Sequence, residues 1–351
     1  MTLTRFLENG EFRLRCYDMG RHILQLPREH LLEFEETRIP YPTPLQRQAW
    51  FGLVMRQREA LSPEADPQVW FIRFPLDEQG KLVQAARDEL LLQLAESRGS
   101  LRSADAPKPD MGNVLRESVY LFQPREDRLA CFHARLTVDL TRPPSRHYEH
   151  ARRYFQGKLG WDQWSFIGYQ GIADLAARHA EPGNEEIIAK ALPQLPPPPL
   201  EALCHCLENE SLPEPISRAL QRRTSQALQT ANPDAREISA LLRGISRSRS
   251  PQHRRQLVEE VLGHPIARHS EILAAIAGRL WRDLADAKLG TLYLENLADN
   301  HQRQPLFDQI LGELLYLPES RPHLLARLRD PARSPHLDKA IGAFFARLGK
   351  S

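Results

Sequence analysis

The sequence has few of the features that mark a secreted or membrane-embedded protein. Only four cysteines occur in 351 residues. They are widely spread, so we expect no disulfide framework and a reducing compartment. No apolar run approaches the roughly 18–20 residues that span a bilayer. The N-terminus lacks the basic segment and apolar core of a signal peptide. These absences predict a cytoplasmic protein that does not enter a membrane.

Glycine, aromatic residues and net charge are also low. The chain has 18 glycines against 28 prolines, 7% aromatic residues and a formal net charge of +2. An excess of proline over glycine indicates many helix starts and not the glycine-rich turns of a β protein. The net charge is too small to indicate nucleic-acid binding by itself, so any basic surface must be local.

The first 120 residues combine strand and helix patterns. Four short stretches alternate or are rich in aromatic and branched side chains, which is typical of strands: residues 12–17, 21–26, 49–55 and 69–74. Residues 81–95 have the four-residue spacing of an amphipathic helix, and residues 98–113 form a predicted linker. We predict an α+β domain over residues 1–120 with a small, mainly antiparallel sheet of about four strands. No strand–helix–strand repeat indicates a doubly wound nucleotide-binding sheet.

Residues 121–351 show one amphipathic helix after another. Their apolar stripes recur about every 17 residues, so a helix pair takes about 34–40 residues, and prolines mark the boundaries. That period is typical of helical solenoids, in which each pair buries its apolar stripe against the next pair. We predict an all-α helical-repeat domain of the HEAT-like solenoid kind, which makes the chain predominantly α overall.

The densest aromatic stretch of the chain lies at residues 161–174, WDQWSFIGYQGIAD. We interpret it as an aromatic helix that forms either a packed seam between the two domains or an exposed surface for a partner. Two polar residues four apart in this stretch could be solvated, capping or binding. The candidate binding residues here are Trp161, Trp164, Tyr169, Gln170 and Asp174.

The strongest local charge lies at residues 243–256, RGISRSRSPQHRRQ, which hold five arginines and no acidic residue. Serines and a proline between them predict an exposed loop between helices. Such a loop could bind the phosphates of RNA or of a ligand, or it could be a solvated connection whose cations favour the preceding helix dipole. The candidate phosphate-binding residues are Arg243, Arg247, Arg249, Arg254 and Arg255.

No catalytic or metal-binding motif is recognisable in the sequence. His147 and His150 share a helix face, but a metal site needs further ligands and no HExxH or CxxC pattern occurs. Cys204 and Cys206 point about 200° apart on a helix, so Cys204 is interpreted as a small buried hydrophobic residue. We therefore expect no catalytic residues, no metal and no cofactor.

Several long segments resemble a family of bacterial proteins described only as a domain of unknown function. They are TRFLENGEFRLRCYDMGRHI, PYPTPLQRQAWF, FPLDEQGKL, PPSRHYEHARRYF and GWDQWSFIGYQGIADLAAR. The resemblance covers nearly the whole chain and implies a single-family protein. It implies no catalytic or binding residues.

These observations favour a non-enzymatic interaction or scaffold protein that binds another protein through its helical-repeat surface or its aromatic stretch. One alternative is an RNA-associated accessory protein that grips phosphates through residues 243–255. A second alternative is an enzyme whose site is assembled from dispersed residues such as His147, His150 and Asp174. Neither a membrane nor a small-molecule cofactor is indicated.

Overall fold

The computed structural model describes residues 1–9, 12–57, 66–100 and 118–348, apart from the side chains of 97–100 and 348. Residues 101–113 of the predicted linker therefore lie outside the described residues. The chain divides into two compact units. The first, here called the sheet unit, comprises Met1–Pro124 and Tyr316–Pro318. The second, here called the helical unit, comprises Arg125–Leu315 and the described residues from Glu319 onward.

The sheet unit contains a four-stranded antiparallel sheet in the order β2-β1-β3-β4, which confirms the predicted small sheet near the N-terminus. Its strands are β1 (Phe12–Asp18), β2 (Leu24–Leu26), β3 (Gln48–Gln57) and β4 (Gln68–Pro75). Its helices are α1 (Leu3–Glu8), α2 (Arg28–Glu35) and α3 (Gln84–Ser100). Leu53 of the central strand β3 lies opposite Cys16 of β1 and Trp70 of β4, so this buried residue connects three strands.

Strand β2 is shorter than the predicted stretch because a buried polar cluster diverts the chain after β1. The Asp18 carboxylate accepts hydrogen bonds from the Gly20 amide at 2.6 Å and from the Thr43 hydroxyl at 2.5 Å. Arg21, only 2% exposed, donates to the Pro44 carbonyl at 2.9 Å. These bonds satisfy polar groups that would otherwise be buried without partners, and pairing with β1 resumes only at Leu24.

The helical unit is built from helices that alternate between two rows, so that each helix packs on the second one along the chain. Row A holds α4 (Glu126–Asp139), α6 (Tyr169–Ala177), α8 (Pro197–Leu207), α10 (Ala235–Ile245) and α12 (Ser270–Arg279). Row B holds α5 (Tyr148–Phe155), α7 (Asn184–Ala191), α9 (Glu214–Leu228), α11 (Pro251–Leu262) and α13 (Ala287–Ala298). Three further helices follow, α14 (Gln304–Tyr316), α15 (Arg321–Leu328) and α16 (Pro335–Leu348). Both α15 and α16 pack against α13.

Short sequence signals explain where these helices begin and how closely they pack. Helix α11 starts at Pro251, which needs no amide partner in the first turn, and the Ser250 hydroxyl caps the His253 amide at 3.4 Å. A β-carbon at Gly171 would lie 2.5 Å from the His147 carbonyl oxygen. Glycine therefore lets α6 approach the start of α5. Among the described residues, no helix is both long and apolar enough to cross a membrane.

Candidate functional site

The aromatic stretch predicted as one helix over residues 161–174 is two segments. Trp161–Phe166 forms a short 3-10 helix, here called the aromatic segment, and α6 begins only at Tyr169. Ile167 and Gly168 between them have extended backbone. The prediction of a continuous helix is wrong because these two residues leave the helical region and interrupt its hydrogen bonds.

One aromatic residue anchors the aromatic segment and two others face solvent. The Tyr154 hydroxyl donates to the Trp161 carbonyl at 3.0 Å, and the two rings meet edge to face at 5.5 Å between centroids. Trp164 is 39% exposed and Phe166 is 72% exposed. No side chain of the segment is buried. The segment therefore exposes Trp164 and Phe166 to solvent, together with the polar side chains beside them.

The other residues predicted in this stretch serve the packing of α6 and lie apart from the exposed rings. Asp174 is 1% exposed and accepts from the Ser145 amide at 3.0 Å and the Gln170 side chain at 3.3 Å. Gln170 also donates to the Ala130 carbonyl of α4 at 3.3 Å. Burial strongly raises the pKa of Tyr169, whose ring is mostly enclosed. These contacts hold α6 against its neighbours.

Two buried cysteines meet beneath Tyr169, a juxtaposition that the sequence analysis did not foresee. The Cys131 and Cys206 sulfurs lie 3.4 Å apart, on α4 and α8. Burial, together with the neighbouring Cys131, raises the pKa of Cys206 well above its usual value. Cys204 is fully buried, as expected for a small hydrophobic residue. All four cysteines are free thiols.

The prediction of an exposed arginine loop over residues 243–256 is wrong in its extent. Helix α10 continues to Ile245 and α11 begins at Pro251, so only residues 246–250 connect helices. Of the five arginines, Arg249 and Arg255 are exposed. Arg247 is half-buried, and burial lowers the pKa of its guanidinium.

Three of these arginines pair with acidic residues that lie far away in the sequence, and one of them, Arg255, approaches Asp283 at 3.6 Å. Arg254 donates to both carboxylate oxygens of the buried Asp283, at 2.6 and 3.0 Å. Arg243 donates to both oxygens of the buried Glu208, at 2.6 and 3.1 Å. Carboxylates from elsewhere in the chain therefore balance the charge of these arginines, although the segment itself contains no acidic residue. The five arginines do not form one phosphate-binding surface.

A different set of basic residues lines an open groove of about 470 Å³ in the helical unit. We call it the arginine groove. Its walls come from α8, α10, α12 and the residue before α4. The lining residues are Arg125, Glu201, His205, Arg236, Ser239, Arg243, Glu271, Ala274, Ala275 and Arg279. Of these, only Arg243 belongs to the predicted binding residues.

A buried carboxylate lies at one end of the arginine groove. Glu208 is 1% exposed. Its carboxylate accepts hydrogen bonds from Arg243 and, at 3.0 Å, from Arg279. The guanidinium of Arg128 lies 3.5 Å away. Burial opposes its ionisation, but the ion pairs with Arg279 and Arg243 outweigh that penalty and hold the pKa of Glu208 well below its usual range. Glu208 is therefore ionised at neutral pH and is surrounded by guanidinium groups.

The two ends of the arginine groove differ in charge. At the Glu208 end, burial and the nearby Arg243 charge lower the pKa of His205 to about 4, so this imidazole is neutral at pH 7. At the other end, Glu201 lies close enough to Arg236 and Glu271 for both charges to affect its pKa, which burial raises. One end is thus basic, and the other mixes acidic and basic side chains.

The sequence contains a periodic signal for this groove that the sequence analysis missed. Glu201, Arg236 and Glu271 follow one another at intervals of 35 residues, and Arg243 and Arg279 are 36 apart. These intervals fall within the predicted 34–40 residues of a helix pair. Charged residues repeated at that period occupy equivalent turns of successive row A helices. Glu208 precedes Arg243 by 35 residues, so it belongs to the same periodic series.

The predicted dispersed site is not brought together as a polar cluster. His147 and His150 are exposed at the start of α5, whereas Asp174 is buried and occupied by Ser145 and Gln170. Within the described residues, no three His, Cys, Asp or Glu side chains are placed to hold a metal ion.

Comparison with known proteins identifies a family. The family described as Protein of unknown function (DUF3549) matches residues 1–345. The chain belongs to this family. Its match covers both the sheet unit and most of the helical unit, which confirms the resemblance seen in the sequence. No curated protein and no solved structure matches the chain.

Proposed function

We propose that this protein is a non-enzymatic interaction or scaffold protein whose helical unit is a HEAT-like solenoid. Its aromatic segment would be the principal contact with a partner protein. The observation that carries the proposal is the exposure of Trp164 and Phe166 on a segment that Tyr154 anchors at Trp161. Aromatic side chains are enriched among the residues that dominate interface energies.

The hydrogen bonds within each row support the solenoid part of the proposal. Asn184 donates to Tyr148, 36 residues away, and Asn296 donates to the Leu262 carbonyl, 34 residues away. In row A, Arg243 reaches Glu208 over 35 residues. Each bond joins one helix to the next in its row. A solenoid requires such regular contacts between equivalent helices, because each helix pair covers the apolar stripe of its neighbour.

The exposure of the aromatic segment supports the partner-binding part. A soluble monomer has little reason to hold a phenylalanine at 72% exposure beside an exposed tryptophan. The Trp161 anchor means that this exposure comes from a defined backbone conformation.

The RNA-associated alternative receives less support. Arg243 and Arg254 are held by buried carboxylates, which leaves Arg249 and Arg255 as the exposed members of the predicted set. Two exposed arginines without an adjacent aromatic surface offer little grip on a nucleic-acid strand. The enzyme alternative also lacks a supporting cluster, since Asp174 is committed to packing.

An affinity capture of the tagged full-length chain, with and without nuclease, tests the proposal. The comparison uses three proteins: the natural sequence, the double variant Trp164→Ser with Phe166→Ser, and Phe345→Ser. Phe345 is 47% exposed on α16, so its variant removes an exposed aromatic residue elsewhere. We expect a protein partner that survives nuclease, is retained by Phe345→Ser and is lost with the double variant.

Two outcomes would contradict the proposal. If RNA alone is recovered and nuclease removes it, the RNA-associated alternative is favoured. If a protein partner binds equally to all three proteins, the aromatic segment is not the contact. Circular dichroism of each variant checks that the helical unit remains folded, as expected for exposed positions.

A further inference from the structure

We propose that the basic end of the arginine groove is a binding site for the phosphate group of a small molecule. This site lies on α8, α10 and α12, and it involves none of the residues of the aromatic segment. It therefore goes beyond the proposed partner binding, and it can be tested separately.

The first argument is the ratio of positive to negative groups at this end. Arg243 and Arg279 both bind the single carboxylate of Glu208, with Nε–Oε2 distances of 2.6 and 2.9 Å. Arg128 lies 3.5 Å from the same carboxylate, and the nearby Asp127 pairs with Arg125. Four guanidinium groups therefore face two carboxylates. The excess positive charge lies in a partly desolvated place, where its interaction with an anion is screened less than on an open surface.

The second argument is the supply of hydrogen-bond donors. Glu208 occupies the Nε and Nη2 edge of the Arg243 guanidinium. Within the described part of the chain, Nη1 of Arg243 donates no hydrogen bond. Ser239 lines the groove one turn before Arg243. Arg125 lines it from the segment before α4, and one of its nitrogens, Nη2, donates to Asp127 at 3.0 Å. Donors from several elements suit a tetrahedral phosphate, whose oxygens accept from several directions.

The third argument comes from size and from small side chains. A groove of about 470 Å³ falls in the range of small-molecule sites. Ala274 and Ala275 form part of its wall on α12, so no long side chain fills the space beside Arg279. A phosphate bound there could carry an organic group along the groove.

The mixed end of the groove argues against a nucleic-acid strand as the ligand. A continuous strand that followed the groove would bring phosphates close to Glu201 and Glu271. Those carboxylates would repel it, whereas a discrete phosphate at the basic end avoids them. The charge pattern therefore favours one phosphate group over a polyanion.

A purely structural role for the cluster makes a different prediction. Arginines in the last turns of α10 and α12 would also favour the helix dipoles and hold Glu208 in place. In that case Glu208 and the two arginines would be mutually satisfied, and added phosphate would change nothing. If the cluster is a phosphate site, Glu208 competes with the ligand for the same guanidinium groups.

Binding to the full-length chain is measured by thermal shift and calorimetry at constant ionic strength. The probes are inorganic phosphate and glycerol phosphate, with citrate and chloride as comparison anions. We expect a saturable response to both phosphates and at least tenfold weaker binding of citrate. A response to glycerol phosphate that exceeds the response to inorganic phosphate would identify an organic phosphate as the ligand.

Three variants locate the site. Arg125→Gln should weaken phosphate binding by about threefold, and Arg243→Gln should weaken it by at least tenfold. Arg222→Gln should not change it. Arg222 is an exposed arginine on α9 that does not line the groove, and its variant has the same charge change. Glu208→Gln removes the competing carboxylate. This variant should bind phosphate about tenfold more tightly than the natural protein. Added phosphate should therefore raise its melting temperature by more.

The proposal would be overturned by the absence of any saturable phosphate response in the natural protein. Equal weakening by Arg222→Gln and Arg125→Gln would overturn it as well, because that result indicates unspecific screening. Arg125 is exposed, so its variant keeps the test decisive even if Arg243→Gln does not fold. None of these outcomes depends on whether the aromatic segment binds a protein.

Discussion

The sheet unit and the helical unit differ in how far apart in the sequence their contacting residues lie. In the sheet unit, β1 pairs with β3 so that Phe12 lies opposite Gln57, and the apolar core gathers residues from Leu3 to Leu94. In the helical unit, contacts recur between one helix and the next in its row. The first arrangement makes one core that forms together, and the second makes a chain of neighbouring interfaces.

This difference predicts how far the destabilising effect of a single substitution should spread in each unit. A substitution in the sheet unit removes support from every element that shares its core. A substitution in the helical unit weakens the interfaces on each side of one helix. Hydrogen exchange can distinguish the two responses, since it reports the opening of each segment separately.

The largest expected effect comes from matched leucine truncations in the two units. Leu53→Ala in β3 and Leu241→Ala in α10 each remove a buried side chain and should cost about 3–5 kcal/mol. Hydrogen exchange should rise throughout all four strands in the first variant, but mainly in α8, α10 and α12 in the second. Uniform loss of protection over the whole helical unit after Leu241→Ala would break the comparison.

Glycine substitutions sharpen the comparison at a single interface. Gly171→Ala places a methyl group 2.5 Å from the His147 carbonyl oxygen, so α5 and α6 must separate, at a cost of about 3 kcal/mol. Gly342→Ala in α16 meets nothing within 4 Å and should stabilise by about 0.5–1 kcal/mol, since alanine favours the helix. Urea unfolding gives both values. A neutral Gly171→Ala would show that the two helices do not need this close approach.

Two buried glutamates of the helical unit should respond to pH in opposite ways. Burial raises the pKa of Glu210 to about 7, a penalty that Arg135 only partly offsets, whereas that of Glu208 is held below its usual range. The contribution of Glu210 to folding stability is fully present below pH 4.5, the pKa of a glutamate in the unfolded chain. It is lost as pH rises through the folded pKa of about 7. The Glu208 contribution is present above 4.5 and is lost only as pH falls through its low folded value.

At pH 8, Glu208→Gln should therefore destabilise by about 2 kcal/mol, and Glu210→Gln should stabilise by about 1–2 kcal/mol. At pH 5 the gain from Glu210→Gln should vanish, while the loss from Glu208→Gln remains. Urea titrations at both pH values measure these changes. Similar losses for the two variants at pH 8 would mean that both carboxylates depend on their arginines to the same extent.

The stability of the helical unit should also depend on pH through His205. Its folded pKa of about 4 lies below the ordinary 6.5, so the unfolded chain binds more protons between these values. Stability should fall as pH decreases from 6.5 towards 4. His205→Gln should remove about 1–2 kcal/mol of that fall, measured as unfolding free energy at pH 7 and pH 4.5. The exposed His150→Gln serves as control, and equal effects of the two would contradict the assignment.

The features that depend on local pattern could be predicted from the sequence, and those that depend on distant partners could not. Alternating residues identified the four strands, and apolar stripes identified the helices. The sequence analysis placed Arg243 in an exposed loop, whereas it lies in the last turn of α10 and its partner Glu208 lies 35 residues away. The break in the aromatic helix was also hidden, because residues 167 and 168 carry no strong breaking signal such as proline.

Among the described residues of the helical unit, several contacts reach past the next helix of their row, including that of Arg128 with Glu208 across 80 residues. Cys131 meets Cys206 and Arg135 meets Glu210, each across 75 residues, and Arg279 meets Glu208 across 71. Each spans two helix pairs. A chain of interchangeable modules could gain or lose a pair without disturbing the others, but here an insertion between α4 and α12 would separate one of these contacts. We therefore expect an inserted helix pair to destabilise the helical unit more when it lies between α4 and α12 than when it lies beyond α12.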